Sequence, residues 1–428
     1  MRSKKRATIP YSRNTNTNSY SNRSSEDLLI KKRRKRYKHK KKFHLGNLFL
    51  SVVTPLVLIF AITKMIAPPS SNDVITVSEI PEPKDIPINI SVVGDIMCHS
   101  SNYQDAYIAD QDTYDFSPVF TDIKEYLQNA DLTIGNVETT FSGKNIGYSG
   151  YPTFNTPEQL ANNLVDLGVD VVSTANNHSL DKNYTGIEGT INTLDAVGIA
   201  HTGTYKSVED QNTIITKEIN GVKFAFLSFT YGTNGIPVPA GREYCINLID
   251  KNLILDQISK AKELQPDFIC ASMHWGEEYK VVPNNTQKEL ADFLFENDVD
   301  IIFGSHPHVL QPMEQRTITK EDGTTKNVFV IYSLGNFMSG QQIENTRNSI
   351  ILNLHITKHI DGTITFDSYD YIPTYMLDRG QGANQRFQIL DVNKTIENYE
   401  AGNSDVSEKL YNTLKKVKDT IDNQLIMK

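Results

Sequence analysis

Apolar positions along this chain gather into short runs that stop, again and again, at residues able to bind a metal. Residues 88–93 end at Gly94-Asp95, and residues 131–134 at Gly135-Asn136-Val137-Glu138. Residues 169–174 end at Ala175-Asn176-Asn177-His178, residues 267–273 at His274-Trp275-Gly276, and Val299, Ile301, Ile302 and Phe303 lead into Gly304-Ser305-His306-Pro307-His308. Runs this short and apolar, closed by turn residues, read as buried strands. Between them the spacing turns helical: residues 117–126, 157–167, 184–197, 253–264 and 287–295 each predict a helix, with Pro157 in a first turn and Asp250 or Asn252 as an N-cap. Asn220-Gly221, between residues 213–219 and 222–229, predicts a two-residue hairpin. Residues 328–333 predict a further strand ending at Leu334-Gly335-Asn336-Phe337; residues 350–356 and 363–371 alternate as sheet strands, and 407–421 reads as a charged surface helix. Strands first alternate with helices and then pair with each other. The expected body is therefore α/β, with one large mixed sheet or two packed sheets.

The longest apolar run, residues 45–66, has another meaning. A helix needs ~20 apolar residues to cross a bilayer. Pro55, Asn47, Ser51 and Thr54 are tolerable within such a span, and Lys64 can snorkel at its far end. Residues 1–44 hold 16 Lys and Arg against 2 Asp and Glu; since the whole chain carries a formal −8, the remainder carries −22. A dense basic block just before a span places that side in the cytoplasm. The chain is therefore expected as a single-pass protein of the cell membrane, with a disordered basic cytoplasmic arm (1–44), a transmembrane anchor (45–66), a Pro-rich linker (67–87), an extracellular body (88–396) and a helical tail (397–428). A cleaved signal peptide fits less well, because the run is long and no small-x-small site follows it. A nuclear localisation signal fits poorly beside a span. The acidic body argues against nucleic acid as a partner. Cys98, Cys245 and Cys270 lack metal-type spacing and allow at most one disulfide.

Five strand ends present Asp95, Glu138, Asn177 with His178, His274, and His306 with His308. Taken singly, each has an ordinary explanation: a helix cap, a turn acid, a surface histidine pair. Taken together they are hard to explain by packing, because buried polar groups are costly unless partnered. Two divalent ions ~3.5–4 Å apart require a bridging carboxylate with neutral ligands on either side, and this set supplies both.

Gly94-Asp95-Ile96-Met97, Asn136-Val137-Glu138, Ala175-Asn176-Asn177-His178, His274-Trp275-Gly276, Gly304-Ser305-His306-Pro307-His308 and Tyr332-Ser333-Leu334-Gly335-Asn336-Phe337 resemble, in that order, the CapA family within the calcineurin-like metallophosphatase superfamily. The resemblance covers roughly residues 90–340. It implies a metallophosphatase-like fold, a sandwich of two mixed β-sheets flanked by helices, and a role in synthesis or export of poly-gamma-glutamate capsule. It also implies divalent metal ions, Mn, Zn or Fe, two where the site is complete: Asp95 and His308 on the first, Asn177, His274 and His306 on the second, Glu138 between them. His178 would face the substrate as general acid or as stabiliser of a leaving oxygen. Implied partners are poly-gamma-glutamate or a related anionic polymer, membrane synthase subunits and the lipid bilayer. Two departures stand out. The superfamily's Asp-x-His is absent, the nearest histidine being His99, and the bridging acid is Glu rather than Asp. Glu277, Asn336 and Trp275 are further candidates to line the cleft. An extracellular phosphoesterase unrelated to capsule and a non-catalytic scaffold are the alternative functions.

Overall fold

The computed structural model describes residues 84–320, 323–402 and 406–427. The arm expected at 1–44, the span at 45–66 and nearly all of the linker lie outside the described residues. No helix among the described residues is long and apolar enough to cross a membrane.

In chain order the strands are β1 (Ile86–Ile96), β2 (Tyr107–Ile108), β3 (Thr113–Tyr114), β4 (Leu132–Val137), β5 (Val171–Ser173), β6 (Ala200–Thr202), β7 (Ile215–Ile219), β8 (Val222–Thr230), β9 (Phe268–His274), β10 (Ile301–Ser305), β11 (Leu310–Thr319), β12 (Thr325–Leu334), β13 (Asn336–Met338), β14 (Asn348–Lys358), β15 (Ile364–Asp378) and β16 (Phe387–Asp391). One mixed sheet runs β16–β15–β14–β1–β4–β5–β6 with β13 beside β1; a second runs β11–β12–β10–β9–β8–β7. The body is thus mixed α/β with several sheets. Strands β1, β4, β5 and β6 are parallel, as are β8, β9, β10 and β12.

Period-two alternation builds the layers. In β9, Phe268 and Cys270 join a core shared with Ile88, Ile90 and Leu352 of the other sheet, whereas Ile269, Ala271 and Met273 join a separate core. That second core is closed by Ile254, Ile258 and Ala261 of the helix Lys251–Glu263 and by Leu290, Ala291 and Leu294 of the helix Asn285–Glu296, at helical spacing. Each fully buried Phe or Ile in these layers contributes about 1.5–3 kcal/mol relative to exposure. The hairpin at Asn220-Gly221 forms as predicted, with both residues at positive φ (53° and 77°) and Ile219 facing Val222. Asp250 is the N-cap, accepting from the amides of Asn252 and Leu253.

Two expectations are corrected. Residues 117–126 do not form one helix; a short turn, Ser117–Phe120, is followed by the helix Lys124–Gln128. The Thr121 hydroxyl donates back to the Pro118 carbonyl at 3.1 Å, a local bond that competes with helix continuation. The charged helix near the C-terminus, Glu408–Gln424, is not purely a surface element. Leu414, Val417 and Ile421 on one of its stripes enter the core between the sheets.

A register shift in β1 between Val92 and Asp95 breaks the alternation just before the first acid. Gly94 sits in that shift, where a Cβ would lie 2.0 Å from the Gly335 carbonyl oxygen; at Gly304 a Cβ would lie 2.0 Å from that of Tyr332. Both glycines are needed because backbone passes directly over them, next to the residues that carry the chemistry.

Candidate metal centre

The parallel strands of both sheets end at one edge, which is where α/β sheets place ligands. Asp95, at the end of β1, accepts from Asn136 Nδ2 at 2.9 Å, and its Oδ2 lies 3.1 Å from His308 Nδ1. Glu138, just past β4, accepts from the same Asn136 amide at 3.3 Å. Its other oxygen, Oε1, lies 3.5 Å from His274 Nε2 and 3.7 Å from His308 Nε2 and has no hydrogen-bond partner. Asn177 Oδ1 lies 2.8 Å from His274 Nε2, and His274 Nδ1 is 2.7 Å from the Ser305 hydroxyl. The His306 ring lies 4.9 Å from that of His274 and 5.9 Å from that of His308; its Nδ1 is buried without a partner. Two triads of ligand atoms fall within 4.8 Å, Glu138–His306–His308 and Asp95–Glu138–His274, and both include Glu138. All six residues expected as ligands therefore meet in one place, and none exposes more than 3% of its surface.

The His306-Pro307-His308 turn holds both histidines in the left-handed region, at φ 96° and 59°. Such conformations cost about 1–3 kcal/mol each and persist where surrounding structure enforces them. Here they turn both rings toward the acids.

Burial raises the Glu138 carboxyl above its ordinary pKa; burial and the nearby Glu138 charge do the same to Asp95. Burial pushes His274 down to about 3 and His306 lower still. His308 is the exception. Burial opposes its charge, but Glu138 and the hydrogen-bonded Asp95 outweigh that and raise it to about 9. Two buried carboxylates, the imidazoles of His274 and His306 held neutral, and two orphaned atoms, Glu138 Oε1 and His306 Nδ1, make a donor set short of positive charge. Divalent cations fit it, with Asp95, Glu138, Asn177, His274, His306 and His308 as the groups able to hold them. A pH dependence follows. Metal ligation needs neutral imidazole, yet with a pKa of about 9 His308 carries a proton at pH 7 in the metal-free protein. Metal binding should thus release a proton, and affinity should climb as pH rises toward 9. Calorimetry of Mn(II) binding in two buffers of different ionisation enthalpy at pH 7 would show at least one proton released per protein; none released would contradict this assignment.

His178 stands beside the ligands without belonging to either triad. Its Nδ1 lies 2.7 Å from Asp181 Oδ2, which also accepts from the Phe154 amide at 2.6 Å, and the Phe154 ring packs edge-on to the imidazole at 4.7 Å. Its loop is pinned to the end of β4 by Asn176, whose Nδ2 donates to the Val137 carbonyl at 2.8 Å. The remaining candidates take up structural positions. His99 Nδ1 accepts from the Gly340 amide at 3.2 Å, and burial holds its pKa down to about 4. Asn336 Nδ2 donates to Gln341 and to the Thr346 carbonyl. Trp275 is buried, stacks on Tyr332 and donates to its carbonyl at 2.9 Å. Glu277 is exposed. Sequence reasoning missed Asn136, Asp181, Tyr231 and Asn234. The His-x-x-Asp spacing of His178 and Asp181 was the available signal for one; Tyr231 follows a sixth strand end, that of β8.

Fold and site together define an α/β protein with a candidate metal centre at the shared edge of two sheets. Residues 89–341 match the family model described as Bacterial capsule synthesis protein PGA_cap, and the chain belongs to that family. It is 27% identical over 334 residues to the capsule biosynthesis protein CapA of Bacillus anthracis, covering 74% of each chain. It is 30% identical over 283 residues to the PGA biosynthesis protein CapA of Bacillus subtilis (strain 168), covering 64% of this chain and 69% of that one. Among solved structures, the calcineurin-like phosphoesterase YfkN from Bacillus subtilis gives a TM-score of 0.41 at 16% identity, over 79% of this chain and 99% of that one. Haemophilus influenzae NAD nucleotidase (NadN) gives 0.41 at 12% identity, over 80% and 61%.

Proposed function

We propose that this chain is a membrane-anchored capsule protein whose extracellular body acts on poly-gamma-glutamate, during its synthesis or export, by metal-assisted hydrolysis. The observation that carries the chemistry is Glu138 Oε1, fully buried, unpartnered and lying between His274 and His308. Family membership supports the capsule role, and similarity to the PGA biosynthesis protein CapA of Bacillus subtilis supports PGA as the polymer. The basic block followed by the apolar run at 45–66 supports the anchor and the orientation, with synthase subunits in the same membrane as partners.

Bound divalent ions would polarise the bond under attack and lower the pKa of water. The chain's own residues do the rest. Asp181, fixed by the Phe154 amide, holds His178 by Nδ1 and leaves Nε2 as the ring nitrogen able to take the proton lost by the attacking water and pass it to the departing amine as the C–N bond breaks. The acidic body repels a polyanion, so bound cations or a local basic patch would have to receive the segment of polymer at the site.

Metal-stripped protein, and the same protein reloaded with Mn, Zn or Fe, should be incubated with poly-gamma-glutamate of defined length. Shortening of the chains in the reloaded samples alone is expected. If no metal produces shortening, hydrolysis of this polymer is excluded and the scaffold role takes its place; cleavage of a chromogenic phosphodiester instead would favour the phosphoesterase reading.

A further inference from the structure

The loop following β8, residues 231–236, touches one half of the donor set and not the other. Asn234 Oδ1 accepts from Asn177 Nδ2 at 3.0 Å. That bond fixes which way the Asn177 amide faces: its oxygen points at His274, 2.8 Å away, and its NH₂ points outward. An amide turned the other way would present donors to a cation and could not ligate it. Tyr231 acts on all three groups, its hydroxyl pairing with the Asn177 side chain as well. Its amide donates to the His274 carbonyl at 3.0 Å; its ring lies parallel to the His274 imidazole at 6.2 Å and against that of His306 at 4.4 Å. His306 Nδ1 has no hydrogen-bond partner, so ring packing is what limits its rotation. Asn234 at φ 51°, Gly235 at φ 76° and the bond from Thr233 Oγ1 to the Ile236 carbonyl at 2.6 Å set the turn that delivers both side chains. Asp95 and His308 are held elsewhere, by Asn136 and by each other.

We infer that the loop at residues 231–236 sets the affinity of the cation position formed by Asn177, His274 and His306, and leaves the position formed by Asp95 and His308 unchanged. This rests on the reading that the cluster holds two cations sharing Glu138, divided as the family resemblance divides the ligands rather than as the two distance triads do, each of which takes one histidine from either side. Tyr231 and Asn234 act as positioning residues: they orient ligands and do not ligate. Outer groups of this kind typically carry ~10–100-fold in metal affinity. Both side chains belong to exposed residues, so truncating either removes no core packing.

The test is Mn(II) titration of the full-length protein by calorimetry, with bound metal counted after dialysis. The parent should bind two equivalents. Asn234→Ala and Tyr231→Ala should each keep one equivalent at parental affinity and weaken the other ~10–100-fold, with the melting of the metal-free protein unchanged. Asn234→Asp retains the acceptor and Tyr231→Phe the ring, so both should bind the second equivalent at least nearly as well as the parent. Equal weakening of both equivalents, or of neither, overturns the inference while leaving the metal reading intact. A parent that binds one cation also overturns it, and a parent that binds none overturns the metal reading as well. Should one alanine variant melt early, the other decides, since Asn234 reaches Asn177 among the ligands while Tyr231 also packs on His274 and His306.

Discussion

Glu138→Gln yields a protein that melts no earlier than the parent when metal-free and gains nothing from added Mn(II). The two halves of this result have one cause. In the metal-free protein Glu138 is fully buried, its Oε1 has no partner, and burial raises its pKa. Such a group costs stability, because an ionised carboxylate has lost water and found no full replacement, while protonation only moves the difficulty to the histidines facing it. An amide of the same shape removes the charge and keeps the packing. In the parent, cations supply what is missing, and binding to the folded state alone adds about 2.7 kcal/mol at a free concentration one hundred times the dissociation constant. The variant forfeits that increment, because the oxygen shared by both ligand triads becomes a neutral amide. Melting curves with EDTA and with excess Mn(II), beside metal counts on the same samples, read both halves. An Mn(II)-dependent stabilisation equal to the parent's would remove Glu138 from the centre and take the bridged reading with it. The stability sacrificed at this position is what a functional site would be expected to retain.

The positions of the donors were legible in sequence for a reason that also explains what was not. A buried parallel strand is a nearly continuous apolar run, so its end is marked wherever a polar residue becomes affordable; Asp95, Glu138, His274 and His306 all announce themselves in this way. Strand β9 ends at His274 and β10 at Ser305, within a residue of expectation. No local signal says that two different sheets end at the same edge. That depends on how Ile88, Ile90 and Leu352 pack against Phe268 and Cys270 across the layer between them. The β1 shift at Gly94 was invisible for the same reason, since the carbonyl that demands a glycine belongs to Gly335, far along the chain. Asn136 lay inside a quoted motif yet showed no role, because its amide matters only once Asp95 and Glu138 are both beside it. In the helix Glu408–Gln424 the stripe of Leu414, Val417 and Ile421 was readable from spacing, but the surrounding charge masked it. The six motifs gave the family, and the match over residues 89–341 agrees with them. The span at 45–66 lies outside the described residues.

His178→Ala should separate chemistry from metal binding. His178 is in neither ligand triad, so the variant should carry as many cations as the parent. What it loses, on the proposed mechanism, is the proton donor. General acid catalysis by a positioned side chain is typically worth ~10²–10⁴-fold in rate, and depolymerisation of poly-gamma-glutamate should fall by that factor. One complication is physical and can be controlled. Removing the imidazole strips Asp181 Oδ2 of its 2.7 Å partner and leaves it only the Phe154 amide, while Oδ1 already lacks one. A buried carboxylate left short of donors destabilises its surroundings. His178→Asn keeps an N–H near Asp181 yet cannot deliver a proton at neutral pH; it should restore melting behaviour to near the parent's while remaining as slow as the alanine variant. Asp181→Asn should slow turnover in the same direction by loosening the hold on Nδ1, again without loss of metal. If instead His178→Ala shortens polymer at the parental rate with its cations in place, proton transfer runs through another group. A parent and variant that are equally inert, both fully loaded, would assign this buried cluster to holding the body in shape.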